Sequence, residues 1–126
     1  MELTEIGRRA KGAAGYLNKL GQAEKNRGLE AAASALEEGM AEILAANRKD
    51  VEQARRGSMS PSLVDRLALD EGRIRAMADG IREVVALEDP VGQVISMKPR
   101  PNGLLIGRKR VPLGVVGIIY EARPNV

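Results

Sequence analysis

Pro112-Leu113-Gly114-Val115-Val116-Gly117-Ile118-Ile119-Tyr120 is the stretch on which the fold turns. It is apolar without alternation and rich in β-branched residues. Such runs form strands covered on both faces, as in parallel sheets with helices above and below. A parallel strand pairs with its neighbour only after a crossover, usually a helix. Only Glu121-Ala122-Arg123-Pro124-Asn125-Val126 follows, which is too short to supply one. The stretch therefore predicts a first sheet strand whose partners lie beyond residue 126, and hence an N-terminal fragment. Gly114 and Gly117 interrupt the strand pattern, which predicts close packing against a helix or a bulged backbone.

Immediately upstream the pattern is a hairpin. Residues 93–98 and 104–110 are β-compatible and flank Pro101-Asn102-Gly103. Asn-Gly between two such runs is a strong hairpin signal, because both residues tolerate positive φ. Arg108-Lys109-Arg110 puts charge on both faces of the return arm. An arm of that kind reaches toward solvent or another subunit, where charge also blunts an exposed strand edge.

Residues 1–90 read as helices. Leu3, Ile6, Ala10, Ala13, Leu17 and Leu20 recur at steps of three and four, one buried stripe that Gly21 breaks. A second helix is expected from about Glu24 to Ala46, with Leu29, Ala32, Ala33, Leu36, Met40, Ile43 and Leu44 on its buried face. Asn47 then reads as an N-cap, with Asp50 three positions on, for a short helix over 48–56 ending near Gly57 in a left-handed stop. Ser60-Pro61 starts another helix through Leu67, with Pro at its first position. Asp70 caps the next, whose stripe is Ile74, Met77, Ala78, Ile81, Val84 and Val85. Asp89-Pro90 closes it.

Composition narrows the chemistry. The 126 residues contain no Cys and no His. Disulfides, thiolate metal sites, a cysteine nucleophile and the commonest general base are all excluded from this stretch. Aromatics make up 2% of the chain, so Ala, Leu, Ile, Val and Met carry the apolar content and the balance leans helical. No apolar run approaches the roughly 20 residues of a membrane span, and no signal-peptide pattern opens the chain. The net charge of +3 is unevenly placed. Residues 1–90 hold 14 Lys/Arg against 16 Asp/Glu, and residues 91–126 hold six against one. A basic nucleic-acid module is one meaning of that skew. The scarcity of aromatics to stack bases and the acidic balance of residues 1–90 weigh against it.

Paired acids at Glu37/Glu38 and Asp70/Glu71 read as solvated helix faces and caps rather than acid–base machinery. Tyr120-Glu121-Ala122-Arg123-Pro124-Asn125 is a sharper candidate. It follows the C-terminal end of the apolar strand, where open parallel sheets bind ligands. An Arg suits phosphate or carboxylate and an Asn amide suits a developing oxyanion. An ordinary strand-to-helix loop, with Asn125 as a cap, accounts for the same residues.

The stretch from Pro112 to Val126 closely resembles a signature segment of the gamma-glutamyl phosphate reductase family, within the aldehyde dehydrogenase superfamily. Ile43-Leu44-Ala45-Ala46-Asn47-Arg48-Lys49-Asp50, Leu63-Val64-Asp65-Arg66-Leu67, Asp89-Pro90-Val91-Gly92 and Arg100-Pro101-Asn102-Gly103-Leu104 resemble it too, so the likeness covers essentially the whole chain. The resemblance implies an α/β fold for the intact protein. Here that means a mostly α-helical fragment with a β-hairpin and the first strand of a Rossmann-like sheet. Residues 1–90 would be the helical N-terminal part of the cofactor domain, 91–111 a hairpin oligomerisation arm, and 112–126 the first strand and loop of the NADP-binding domain.

The implied activity is reduction of L-glutamyl 5-phosphate by NADPH to glutamate 5-semialdehyde, with release of phosphate, in cytoplasmic proline biosynthesis. The family attacks the acyl phosphate with a cysteine, placed downstream of Val126, so this stretch alone is expected to be inactive. By the same resemblance Asn125 stabilises the oxyanion, Arg123 meets the substrate, and Ile119, Tyr120, Glu121, Ala122 and Pro124 line the cofactor cleft. No metal, nucleic acid or membrane is implied. The alternative is a free-standing helical oligomerisation protein derived from the same family.

Overall fold

The computed structural model describes residues 2–120 and 122–125. Five helices come first: α1 (Leu3–Leu17), α2 (Gln22–Glu38), α3 (Met40–Arg56), α4 (Pro61–Leu67) and α5 (Glu71–Val85). An antiparallel hairpin of β1 (Val94–Pro99) and β2 (Leu105–Lys109) follows. The architecture is thus mostly α-helical with one two-stranded sheet, as the sequence predicts. The chain divides into two compact units. One comprises Met1–Gln22 with Glu88–Gly117, the other Ala23–Leu87 with Ile118–Val126.

In the helical unit, α3 packs on α4 and α5. Ala33, Val51, Val64, Ile74 and Ala78 are the buried apolar side chains. The expected boundary at Asn47 is wrong. The interruption falls at Gly39, and α3 runs unbroken through Asn47 to Arg56. Even at Gly39 the ladder persists, with Gly39 N–H donating to Ala35 O at 2.9 Å and Ile43 N–H donating to Gly39 O at 3.0 Å. Glycine is the poorest non-proline helix former, so the break falls there rather than at Asn47.

Other helix boundaries hold with altered detail. α3 stops before Gly57, but Gly57 is extended (φ −89°, ψ −162°) rather than left-handed. Ser60 precedes α4 with Pro61 at the first helical position, and its hydroxyl lies 3.2 Å from Ser62 Oγ instead of capping an amide. Asp70 does cap α5, its Oδ1 accepting from Arg73 N at 2.7 Å. α5 ends at Val85, ahead of Asp89-Pro90.

In the other unit, α1 ends at Leu17 and none of its residues is buried, Leu3 being 83% exposed. Periodicity identified its apolar face but not a covering for it. The hairpin ladder pairs Lys98 with Ile106, Met97 with Gly107 and Ser96 with Arg108, with a bulge between Val94 and Ser96. Directly opposed residues share a face, so Lys98 and Arg108 lie on one face and Met97 and Leu105 on the other. Arg108 and Lys109 are therefore on opposite faces, as expected, and all of β2 is exposed.

The turn differs from the expected one. Gly103 has φ +84°, and Asn102 is not among the residues of positive φ. Gly103 N–H donates to Arg100 O at 2.9 Å, and Leu104 N–H donates to Asn102 Oδ1 at 3.2 Å. Pro101 presets the first corner of a type I turn, and Gly103 supplies the left-handed residue that closes it.

Residues 111–120 form no ladder among the described residues, and every one is exposed. A β-branched run fixes an extended preference, whereas a strand also needs a partner. Gly114 takes φ +88°, and a Cβ at Gly114 or Gly117 would meet nothing within 4 Å. The expected close packing at these glycines is therefore absent among the described residues.

Candidate functional site

The helical unit carries an open groove of ≈ 1230 Å³. Its walls are Leu29 and Leu36 of α2, Ile43 of α3, and Met77, Ile81 and Val84 of α5. Helical spacing stacks these side chains into two apolar ridges. One end is polar, with Asn47, Asp50, Asp65, Arg66 and Arg73. Ala122, Arg123, Pro124 and Asn125 line the same groove.

The groove's geometry is set by side chains that tie the helices together. Asn47, 7% exposed, donates from Nδ2 to Leu67 O at 2.9 Å and accepts at Oδ1 from Leu69 N at 2.8 Å. Arg73 Nη1 donates to Asp65 O and Ala68 O, each at 2.5 Å, so α5 satisfies carbonyls at the open end of α4. Asn26 Nδ2 donates to Val85 O at 3.1 Å, joining α2 to α5.

Arg82 of α5 makes the other α2–α5 tie. Its Nη2 lies 2.5 Å from Glu37 Oε2, its Nε 3.6 Å from Glu30 and its Nη1 3.4 Å from Asp79. The hydrogen bond from Arg82 holds the Glu37 carboxyl below its ordinary value of 4.5, against a smaller opposing effect of burial. The hydrogen bond to Glu37, helped by the charges of Glu37 and Glu30, raises the Arg82 guanidinium in turn. Glu37 is therefore an ion-pair partner, not a purely solvated acid. Its partner is 45 residues away, and no local pattern announces it.

Of the residues the sequence singled out, Ala122, Arg123, Pro124 and Asn125 converge on the groove. Ala122 bends the chain there with φ +48°. Ile119 (103% exposed) and Tyr120 (57%) stand away from it, and Glu121 lies outside the described residues. Arg66 and Arg73 are groove cations that sequence analysis missed. They sit in an ordinary helical pattern, and only the fold brings them into the lining of the same groove as Arg123 and Asn125. Among the described residues no helix is long and apolar enough to cross a membrane.

Helices leading into an antiparallel hairpin, followed by an apolar extended segment, form an aldehyde dehydrogenase-like arrangement. No protein-family model matches the chain. It aligns over 99% of its length with the crystal structure of gamma-glutamyl phosphate reductase from Thermotoga maritima, with a TM-score of 0.93 and 46% identity. For the Saccharomyces cerevisiae gamma-glutamyl phosphate reductase structure the TM-score is 0.76 and the identity 29%, over 85% of this chain and 28% of that one. Curated gamma-glutamyl phosphate reductases from Lachnospira eligens and Moorella thermoacetica are 61% and 57% identical, over 98% and 100% of this chain. By sequence and fold the chain is similar to gamma-glutamyl phosphate reductases over essentially its whole length. It spans about 30% of the length of these curated relatives and of the Thermotoga maritima chain.

Proposed function

We propose that this chain supplies the helical N-terminal part and one active-site loop of a cytoplasmic, NADPH-dependent gamma-glutamyl phosphate reductase. The single observation that carries this is the 61% identity to the Lachnospira eligens enzyme over 98% of the chain. The reaction is reduction of L-glutamyl 5-phosphate to glutamate 5-semialdehyde with release of phosphate, a step toward proline.

The part played by these residues is electrostatic. Asn125, at the groove's edge, donates its amide N–H to the oxyanion that develops as the acyl carbon is attacked, where such a donor lowers the barrier most. Arg123, exposed beside it, pairs with the phosphate or the carboxylate of the substrate. NADPH supplies the hydride when bound. The residues present offer it apolar surface at Ile119 and Tyr120 but no phosphate-cradling glycine loop, so they do not by themselves fit a dinucleotide. The hairpin serves as an oligomerisation arm, consistent with a β2 exposed on both faces.

With no Cys, the 126-residue chain lacks the thiolate that the family reaction needs and is inactive alone. The test is a chimera in which this chain replaces the matched stretch of the Lachnospira eligens protein. Glutamate 5-semialdehyde, phosphate and NADP are supplied and NADPH formation is followed. The chimera should turn over, and Asn125→Ala in it should lower kcat by about 100- to 1000-fold. A chimera that folds without turnover, or turnover by the isolated 126-residue chain, overturns the proposal.

A further inference from the structure

We propose that the apolar groove of the helical unit is a docking seat for the remainder of a gamma-glutamyl phosphate reductase chain, and that this remainder binds there even as a separate polypeptide. The inference rests on the family reading above and concerns association rather than chemistry. Leu29, Leu36 and Ile43 repeat every seven residues along α2 and α3, so they form one continuous ridge. Met77, Ile81 and Val84 form the second ridge on α5. Between them lies ≈ 1230 Å³ of open apolar groove.

This surface is not spare core. Ile74 is the one large side chain wholly buried among the described residues, and Leu29, Leu36, Ile43, Met77 and Ile81 on the groove walls are only half-buried. Val84 is 51% exposed. Contiguous apolar surface of this kind marks an interaction site. What covers it follows from the comparison. The Thermotoga maritima chain is matched over only 30% of its length. The curated relatives likewise extend well beyond the matched 30%. The unmatched remainder is the occupant.

The ties that shape the groove are internal to the helical unit. Asn47, Arg73 and Arg82 bond only to residues between Glu30 and Asp79. The seat therefore needs no covering to be formed. A preformed apolar seat loses little conformational entropy when an occupant arrives, which favours binding without a covalent link.

The experiment co-expresses the 126-residue chain with the unmatched part of the Lachnospira eligens protein, each carrying its own affinity tag. Recovery is followed by tandem purification and light scattering. An equimolar complex is expected. Ile81→Asp should weaken it by about 30-fold or more, because binding would bury an unpaired charge. Gln53→Asp, at an exposed α3 position that does not line the groove, should change it less than about threefold. Helical circular dichroism of each variant reports folding, and Val84→Asp, at an already exposed position, replaces Ile81→Asp if that variant loses helix.

Absence of a complex, a complex indifferent to both groove variants, or a homodimer of the 126-residue chain that occupies the groove and excludes the remainder overturns the proposal. Turnover is not the readout. A complex that forms but does not reduce glutamyl phosphate refutes the reductase reading and leaves the docking seat standing. An active intact relative with no complex in trans refutes the seat alone.

Discussion

Removing the Asn47 side chain should loosen the junction between α3 and the segment after α4. Asn47 is 7% exposed and uses both ends of its amide, one on Leu67 O and one on Leu69 N. Asn47→Ala strands both backbone groups. A fully closed unsatisfied group costs about 1–3 kcal/mol. Leu67 and Leu69 are half-buried, so water relieves part of that cost. The lower end for each group gives a sum of about 2 kcal/mol. That corresponds to roughly a 30-fold rise in local opening. Hydrogen exchange of the Leu69 amide reads the opening directly, and urea unfolding followed by circular dichroism reads its share of stability.

Asn47→Asp separates the two bonds. The carboxylate still accepts from Leu69 N–H but faces the Leu67 carbonyl oxygen, while the protonated acid can donate to it. The folded-state pKa is then raised above the unfolded value of about 3.9. The stabilisation is therefore complete below that value and is lost as pH rises through the folded pKa. Asn47→Asp should be weak at neutral pH and recover on acidification. Leu69 exchange within threefold of wild type in Asn47→Ala, or an Asn47→Asp variant as protected as wild type at neutral pH, would refute the reasoning.

Glu37, whose pKa is lowered by Arg82, contributes stability that is present above its ordinary 4.5 and lost as pH falls through its folded value. Acid titration of helix content should therefore flatten in Glu37→Gln, and a variant that keeps the wild-type acid limb would show the pair to be idle. Gly103→Ala, at φ +84° in the hairpin turn, should cost about 1–2 kcal/mol. Gly117→Ala, in open space and without positive φ, should stay within about 0.5 kcal/mol. Equal effects of the two in thermal unfolding would remove the turn argument.

Legibility in the sequence followed the range of the interaction involved. α1, α4, α5 and the hairpin were legible because their signals are local: three-and-four spacing, Ser60-Pro61, Asp70 three residues before Arg73, and Asn102-Gly103 between β-compatible runs. Asn47 was misread because an N-cap and a buried inter-element bridge use the same amide. The cap rule looks three residues ahead, whereas the true partners are 20 and 22 residues away. The turn type was misread because Asn-Gly was weighed without Pro101, whose fixed φ makes Pro101-Asn102 the corner.

The candidate site divides in the same way. Arg123 and Asn125 were legible as residue types suited to anions, and their motif carries the family resemblance. Arg66, Arg73 and Arg82 gave no such signal, because charged residues on a helix look alike until another helix is set against them. The sequence by itself determined the helices, the hairpin and the extended preference of residues 112–120, since steric and hydrogen-bonding preferences act within a few residues. The tertiary structure alone decided which helix faces meet across the groove, which acid pairs with Arg82, and that Ala122–Asn125 lines that groove. Those outcomes depend on contacts between residues far apart in the chain, and no local pattern encodes them.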